Sequence, residues 1–194
     1  MALSGQKTKS DYIEWNKLQS LILKLERDGD WKFALLIAIG IYTGLRISDI
    51  LLLRWRDIVE KEFIEITEMK TKKYRRIKIN QNLSEIIERM LSHNENELEK
   101  LIFLNKFKTS TISVQYVNRK LKTLAFEHNL SKEPTKIKSH SLRKSFGRRV
   151  FENNDNSERA LILLSEMFNH TSIKTTKIYL GIREKEIFEI YDSL

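Results

Sequence analysis

The residues of this chain whose types and spacing could do chemistry are two arginines, two histidines and a tyrosine. Arg46 lies in the segment TGLRISDI, His140 and Arg143 share the segment HSLR, and His170 precedes Tyr179 by nine residues in NHTSIKTTKIYL. The forked guanidinium group of arginine matches the oxygens of a phosphate with paired, charge-assisted hydrogen bonds. A tyrosine beside such a site can attack the phosphorus atom and hold the product covalently. These residue types therefore predict cleavage of a DNA strand.

Each of these signals is weak when it is taken alone. An arginine beside a helix end is usually a surface residue, a basic pair on a helix is usually solvated, and a tyrosine is usually structural. His140 and Arg143 are three residues apart, so they would share one face of a helix. His170 and Tyr179 would lie on opposite faces of one continuous helix. We therefore expect Thr171-Ser172 to cap a new helix between them.

The composition favours a basic protein of a reducing compartment. The chain has 194 residues, enough for one well-buried domain, and its 35 Lys and Arg against 26 Asp and Glu give a net charge of +9. This excess favours a polyanionic partner. The absence of cysteine excludes a disulfide framework and a thiolate metal site. The start of the chain lacks the apolar core of a signal peptide, and the longest apolar run, residues 33–42, is too short for a membrane span, so we expect a cytoplasmic protein.

The hydrophobic pattern predicts a mostly helical domain with one small antiparallel β-hairpin, an α+β fold. Residues 63–67 and 76–79 alternate as strands do and should flank the charged turn 70–73. Gly44 is expected to end the second helix, and Ser48-Asp49 to cap a short helix over residues 51–53. The helices expected from the 3.6-residue period are 10–27, 31–42, 83–91, 114–128, 141–151, 157–167, 173–179 and 184–191.

In their order and context, these segments resemble the tyrosine recombinase (phage integrase) family. TGLRISDILLLRWRDI, a lysine on a hairpin, HSLRKSF and NHTSIKTTKIYL follow one another as they do in that family, over about residues 10–180. The family's motifs have the form Arg, Lys, His-x-x-Arg, His, Tyr. Carried over position by position, they give the candidate catalytic residues Arg46, Lys70, His140, Arg143, His170 and Tyr179.

The resemblance also implies supporting and DNA-binding residues. Asp49 matches an acidic residue, three places after the first arginine, that supports the site structurally. Lys70 matches the lysine of the family's hairpin turn and is favoured for that role over the neighbouring Lys72 and Lys73. The chain departs from the family at Phe168-Asn169, where Leu-Gly is usual, although asparagine tolerates the left-handed backbone conformation. The candidate contacts of the DNA backbone are Lys72, Lys73 and Lys144.

The resemblance implies a reaction that cuts and rejoins DNA through a 3′-phosphotyrosyl intermediate. Tyr179 would be the nucleophile, Lys70 would protonate the departing 5′ oxygen, and the two arginines would stabilise the transition state. A free tyrosine has a pKa of about 10, so Tyr179 needs a proton acceptor. The sequence leaves His140 and His170 both open for that role, and the arginines are expected to favour the phenolate. Rejoining conserves bond energy, so no cofactor and no metal is expected.

The expected organisation is a catalytic domain over residues 1–182 with a C-terminal helical tail over residues 183–194 and no N-terminal core-binding domain. The apolar stripe of the tail indicates that it binds a groove, in its own domain or in a neighbouring subunit. Members of the family commonly exchange a C-terminal helix around a ring on DNA. The expected partner is therefore double-stranded DNA, bound as a tetramer on paired sites by a chain that is a monomer when free.

Three alternatives use the same residues differently. A type IB topoisomerase would share the chemistry but relax one cut strand, and the motif spacing around Tyr179 favours the recombinase over it. A DNA-binding regulatory module would carry a degenerate site, against which the complete residue set argues. A basic helical protein without a nucleic-acid role is the weakest alternative. The sequence does not distinguish integration, excision and inversion.

Overall fold

The computed structural model describes residues 10–92, 98–182, 188 and 190–194. Among these residues, no helix is both long enough and apolar enough to cross a membrane. Single-turn 3₁₀ helices lie at Trp55–Asp57 and Pro134–Lys136. The other elements are α1 (Trp15–Arg27), α2 (Trp31–Thr43), α3 (Ile47–Ile50), β1 (Phe63–Thr67), β2 (Tyr74–Lys78), α4 (Gln81–Leu91), α5 (Val114–Glu127), α6 (Ser139–Glu152), α7 (Glu158–Phe168) and α8 (Ile173–Leu180).

Helix α2 is the centre of the main hydrophobic core. Residues 33–41 are all buried, as expected for a helix that is apolar on every face. The helix packs against α1, α4 and α6. It ends at Gly44, whose φ of 63° lies in the left-handed region that glycine adopts without steric cost. The predicted stop is therefore confirmed, and a Cβ atom at this position would lie 2.5 Å from the ring of Phe146.

Strands β1 and β2 form a two-stranded antiparallel sheet, which confirms the predicted hairpin. Phe63 pairs with Lys78 and Thr67 with Tyr74, so the second strand begins two residues earlier than expected. The turn is closed by two backbone hydrogen bonds of 2.9 Å, from the Glu68 amide to the Lys73 carbonyl and from the Lys72 amide to the Glu68 carbonyl. This closure holds residues 69–72 as a compact tip.

A second, smaller core lies between α6, α7 and α8. Gly147 on α6 permits a close approach, because a Cβ atom there would lie 2.6 Å from the side chain of Leu180. The packing fixes α8, which carries Tyr179, against α6, which carries Arg143. Its buried members are Phe146, Phe151, Ala160, Leu161, Leu164, Phe168, Leu180 and Ile182.

The start of the first helix differs from the prediction. Helix α1 begins at Trp15 instead of residue 10, and the residues before it lie along α6. The Ser145 hydroxyl accepts from the Ile13 amide at 2.9 Å and donates to the Ile13 carbonyl at 2.7 Å. Ile13 is buried. These contacts satisfy the backbone outside a helix, which helical periodicity alone does not reveal.

The short third helix was also predicted wrongly. Helix α3 spans Ile47–Ile50, with Arg46 as its N-cap residue, so Ser48-Asp49 does not cap a helix over residues 51–53. Asp49 lies inside α3, and its carboxylate accepts a hydrogen bond from the Met69 amide instead. The chain resumes a helical path at Ile47, after the three non-helical residues 44–46.

The other described helices lie within two residues of their predicted limits. The predicted tail helix over residues 184–191 is different, because residues 183–187 and 189 lie outside the described part of the chain. The division of the chain near residue 182 therefore stays a prediction. The side chains of Phe188, Ile190, Tyr191 and Leu194 are exposed.

Candidate active site

The candidate catalytic residues are carried by different elements that meet at one place. Arg46 is the N-cap residue of α3, and Lys70 lies at the tip of the hairpin. Helix α6 carries both His140 and Arg143 near its N-terminus. His170 follows the C-cap of α7, and Tyr179 lies near the end of α8. Ser172 caps α8 by accepting from the Thr175 amide, which confirms the predicted break between His170 and Tyr179.

The two arginines are held side by side by the last carbonyl of α7. The Phe168 carbonyl accepts from Arg46 Nη2 at 3.3 Å and from Arg143 Nη2 at 3.1 Å. Arg143 also donates from Nη1 to the Gly44 carbonyl at 2.6 Å, and its guanidinium lies 4.3 Å from the centre of the Phe168 ring. A helix C-terminus carries partial negative charge, which favours cations there. The ends of α2 and α7 therefore orient Arg143.

The turn that carries this carbonyl has the conformation expected for it. Asn169 caps α7 with φ 52° and ψ 44°, in the left-handed region. The His170 amide then donates to the Ser165 carbonyl at 2.9 Å. Asparagine is one of the few non-glycine residues that tolerate this conformation. The substitution of Leu-Gly by Phe168-Asn169 therefore leaves the turn intact.

Asp49 connects α3 with the hairpin tip. Its Oδ1 accepts from the Met69 amide at 2.9 Å, next to Lys70, while its Oδ2 is buried and has no hydrogen-bond partner among the described residues. This contact is consistent with the structural support expected of Asp49. Among the described residues, no group of three or more His, Cys, Asp or Glu side chains is placed to hold a metal ion.

The four lysines have different surroundings. Lys70, Lys72 and Lys73 are exposed on the hairpin, and Lys72 has a left-handed φ of 56°. Lys144 instead donates to the Ser10 carbonyl at 2.7 Å, and its ammonium lies 5.4 Å from the centre of the Tyr179 ring. Lys144 thus has contacts within the protein, and its role as a DNA contact stays a prediction.

Tyr179 packs against the two aromatic residues of the α7 turn. Its ring centre lies 5.5 Å from that of Phe168 and 5.2 Å from that of His170, both in edge-on geometry. The phenolic oxygen is buried and has no hydrogen-bond partner among the described residues. His170 Nδ1 lies 3.0 Å from the hydroxyl of the buried Thr176, which fixes the plane of the imidazole. Which ring nitrogen of His170 carries the proton depends on whether the Thr176 hydroxyl donates or accepts in this contact.

Glu68 is a central residue that the sequence analysis missed. Its side chain is 0% exposed and pairs with Arg46 at 2.6 Å and Arg75 at 3.0 Å. A signal was present, because Ile64, Ile66 and Glu68 follow the two-residue period of one strand face, and the first and last of them are buried. An acidic residue on the inward face requires a cationic partner inside.

Comparison with known proteins decides the family. The sequence matches the family model described as the phage integrase family over residues 12–186. The chain belongs to this family. YoeC of Bacillus subtilis, a probable integrase/recombinase, is 34% identical over 167 residues, which are 86% of this chain and 83% of that protein. The tyrosine recombinase XerH of Campylobacter jejuni is 30% identical over 147 residues, which are 75% of this chain.

The solved structures agree with the family on the fold. A XerH recombinase bound to palindromic difH substrate, in a post-cleavage complex, matches 98% of this chain with a TM-score of 0.69 and 21% identity. This likeness confirms the expected catalytic-domain fold. The chain spans 55% of that structure and 40% of the Campylobacter XerH. Because the relatives are recombinases, the topoisomerase alternative is not favoured.

The electrostatics of this family member differ from expectation at the tyrosine. Burial raises the pKa of Tyr179 to about 12, and the opposing charges of Arg143 and Arg46 only partly offset it. Arg143 lies near the hydroxyl, but the geometry falls short of a hydrogen bond. The arginines therefore favour the phenolate, as expected, but burial is the larger effect here. At neutral pH the group is a buried, protonated phenol.

Both histidines near the arginines are poor proton binders. Burial, followed by the charges of Arg143 and Arg46, lowers the pKa of His170 to about 4. His140 is an exposed residue, yet loss of surrounding water lowers its pKa, and the charges of Arg143, Arg46, Lys70 and Lys144 lower it further. A neutral imidazole at pH 7 can accept a proton.

The pKa of His170 can be measured directly. The chain has four histidines, so resonances are assignable by substitution, and we expect one imidazole to remain neutral until about pH 4 and to vanish from the spectrum of His170→Gln. Between the ordinary pKa of about 6.5 and about 4, the unfolded chain binds a proton that the folded chain does not. His170 therefore makes the protein less stable as the pH falls through that window. His128→Gln, at the C-cap of α5, is the control. An imidazole assigned to His170 that titrates above pH 6 would contradict the geometry.

Proposed function

We propose that this chain cuts and rejoins DNA strands through a 3′-phosphotyrosyl intermediate at Tyr179, as a site-specific recombinase. The observation that carries the proposal is the pairing of Arg46 and Arg143 on the carbonyl of Phe168, whose ring contacts the ring of Tyr179. Two guanidinium groups offer forked donors to a phosphodiester. The recombinase relatives point to the same chemistry.

In this mechanism the Tyr179 oxygen attacks the phosphorus atom and the bond to the 5′ oxygen breaks. The phenol loses its proton to His140 or His170, whose pKa values are lowered in part by the charges of Arg143 and Arg46, charges that a bound phosphate offsets. Arg46 and Arg143 stabilise the charge that builds on the nonbridging oxygens. Lys70 protonates the departing 5′ oxygen. Attack by another strand's 5′ hydroxyl reverses each step, so the cut strand is resealed without an external energy source.

The buried phenol imposes a condition on this mechanism. The Tyr179 oxygen is buried and has no hydrogen-bond partner among the described residues, so this arrangement does not present it to a phosphate. Helix α8 must therefore shift when DNA binds. Since residues 183–194 follow the end of α8 after only Gly181 and Ile182, we propose that tail exchange between protomers provides this shift. The exposed side chains of Phe188, Ile190, Tyr191 and Leu194 support exchange.

The decisive experiment traps the covalent intermediate. In a duplex with a nick just downstream of the scissile phosphate, cleavage releases a short fragment that carries the new 5′ hydroxyl. This fragment diffuses away, so resealing is prevented and the covalent adduct accumulates. We propose a monomer for the free chain and a tetramer on paired sites, which analytical ultracentrifugation distinguishes. Because the target sequence is not known, the substrate is drawn from a pool of random-core nicked duplexes. An SDS-stable adduct with the DNA attached to the peptide of Tyr179 supports the function, and adduct on another residue contradicts it.

We expect DNA binding by this basic chain to depend strongly on salt. Each phosphate contact should lower the logarithm of the association constant by about 0.9 per tenfold rise in salt concentration. Replacing both Lys72 and Lys73 by alanine should reduce that slope by about 2. Lys24→Ala is the control, because Lys24 lies on α1 and pairs with Asp28 at 3.2 Å. A slope that is equal in both variants would exclude the hairpin lysines as phosphate contacts.

A further inference from the structure

The buried carboxylate of Glu68 joins three segments of the candidate site. Its Oε2 accepts from Arg46 Nη1 at 2.6 Å, from the Thr71 hydroxyl at 2.6 Å and from Asn169 Nδ2 at 3.1 Å. Its Oε1 accepts from Arg75 Nη1 at 3.0 Å. Arg46 begins α3, Thr71 follows Lys70 in the hairpin tip, and Asn169 precedes His170. Glu68 therefore contacts Arg46 directly, and it also contacts the residues that adjoin Lys70 and His170 in the chain.

We propose that Glu68 is a positioning residue for strand cleavage, which locks Arg46 and the Lys70 turn into one unit facing the phosphate. The proposal rests on the function proposed above. Glu68 does not reach the reacting atoms, since its side chain is fully buried behind Arg46. Its effect is on where Arg46 points and on how far the Lys70 turn can move. Asn169 connects the same unit with the turn before His170.

The surroundings of Glu68 require a carboxylate. All four of its partners are hydrogen-bond donors, and an ionised carboxylate accepts at both oxygens without presenting a donor. Burial alone raises the pKa of Glu68, but hydrogen bonds from Thr71, Arg75 and Arg46 outweigh it and lower the pKa to about 2. A glutamine in its place would direct an N–H group at a guanidinium or a hydroxyl. It would therefore loosen the unit while preserving its volume.

The charge of Glu68 separates positioning from simple structural support. The carboxylate offsets part of the positive charge that Arg46 and Arg75 offer to DNA. Glu68→Gln removes that negative charge, so DNA affinity should stay equal or rise while the rate of cleavage falls. A substitution that merely unfolds the hairpin would lower both quantities. A fall in the cleavage rate with unchanged or increased DNA affinity is thus the signature of a positioning role.

Asn169 provides a second and milder test of the same unit. Asn169→Gly retains the left-handed turn at lower backbone cost and removes only the amide that donates to Glu68. We expect a smaller loss of rate than for Glu68→Gln. The double variant should be little slower than Glu68→Gln alone, because the two residues act through one contact. Losses that multiply would show independent roles and contradict the coupling.

The leaving group reports on the Lys70 turn specifically. In a substrate with sulfur at the bridging 5′ position, the leaving group is a thiolate that departs without a proton, because thiols ionise near a pKa of about 8.5. Single-turnover cleavage of this substrate therefore bypasses Lys70. We expect Glu68→Gln to slow cleavage of the oxygen substrate by about 10²-fold. With the sulfur substrate, the loss of cleavage rate should be about tenfold smaller. The loss that remains is the part caused by the changed position of Arg46.

The control is Glu65→Gln, which removes an exposed glutamate from the same hairpin. Glu65 pairs with Arg76 at 3.3 Å on the solvent side. Urea unfolding of every variant shows whether the compared proteins are folded. If Glu68→Gln does not fold, Asn169→Gly still tests the proposal. Wild-type-like cleavage by Glu68→Gln, or a loss that sulfur does not reduce, would overturn the proposal. Failure of the wild type to form any adduct would instead overturn the proposed function.

Discussion

Replacing Tyr179 with phenylalanine should abolish the covalent protein–DNA adduct while leaving DNA binding within about threefold of wild type. The substitution removes one oxygen, which is the proposed nucleophile, and preserves the ring that packs against Phe168 and His170. No general acid or arginine can replace a missing nucleophile. The expected result is therefore the absence of an SDS-stable band on the nicked duplex, with an unchanged shift in a native gel.

The same variant should be more stable than wild type. The Tyr179 hydroxyl is buried without a hydrogen-bond partner among the described residues, and such a group costs about 1–3 kcal/mol. Phenylalanine removes that cost, so the free energy of unfolding in urea should rise by about 1 kcal/mol. A gain of stability together with a loss of activity is expected of a group kept for function.

Tyr191→Phe is the control for the identity of the nucleophile. Tyr191 lies twelve residues further along the chain and is 70% exposed, so it is the other tyrosine near the C-terminus that DNA could reach. We expect this variant to form the adduct at the wild-type rate. An adduct formed by Tyr179→Phe, or one lost in Tyr191→Phe, would reassign the nucleophile.

The positions of the candidate catalytic residues could be predicted from the sequence, because local signals mark the turns and helix ends around them. Gly44 ends α2 and Ser172 begins α8, and both act through their own backbone or the next few residues. The turn between α7 and α8 could be inferred from the geometric conflict of His170 and Tyr179 on a single helix. Asn169 satisfied the left-handed position by a known property of its residue type. Such signals span a few residues and do not depend on the rest of the fold.

The contacts that orient those residues could not be read in the same way. Glu68 pairs with Arg46, 22 positions earlier, and with Asn169, 101 positions later. Lys144 was expected at the DNA backbone, yet it donates to the carbonyl of Ser10, 134 positions away. No local pattern encodes these distances, because they arise when separate elements pack together. The strand alternation showed that Glu68 points inward, but not which cation it meets.

The protonation state of Tyr179 shows a third limit of prediction from the sequence. A motif places arginines near Tyr179 and so suggests a phenolate, because Coulomb attraction is the effect that residue types reveal. Burial acts in the opposite direction, and here it is the larger effect, since it raises the pKa to about 12. Desolvation depends on every atom around the group, including the apolar second core beneath α8. The sign of the shift therefore required the structure.

Arg46→Ala and Arg143→Ala should each slow cleavage by about 10²–10³-fold and weaken DNA binding much less. Their proposed contacts strengthen as charge builds on the phosphate, so the loss falls mainly on the transition state. Single-turnover cleavage and equilibrium binding on the same duplex measure the two effects separately. Arg89→Ala is the control, because Arg89 is exposed and pairs with Glu26 at 3.0 Å, outside the cluster.

The two variants should differ in stability, and for different reasons. Arg143 is 3% exposed and donates to two carbonyls that end helices, so alanine leaves a cavity and an unpaired Gly44 carbonyl. Arg46→Ala instead removes one of the two guanidinium groups that neutralise the buried Glu68. Breaking a buried pair costs about 3–5 kcal/mol when the remaining charge has no other partner, and the retained contacts of Glu68 with Arg75 and Thr71 should keep the cost below that range.

Lysine substitutions distinguish the fork from the charge where alanine costs too much stability. Arg143→Lys keeps a cation, but its single ammonium cannot span both the Gly44 and the Phe168 carbonyls as the fork does. We expect it to fold and bind DNA while cleaving slowly. If the lysine variants instead cleaved within a few-fold of wild type, a point charge would suffice and the paired hydrogen bonds would have no catalytic role. If the alanine variants did so as well, both arginines would be anchors that hold the phosphate without stabilising its transition state.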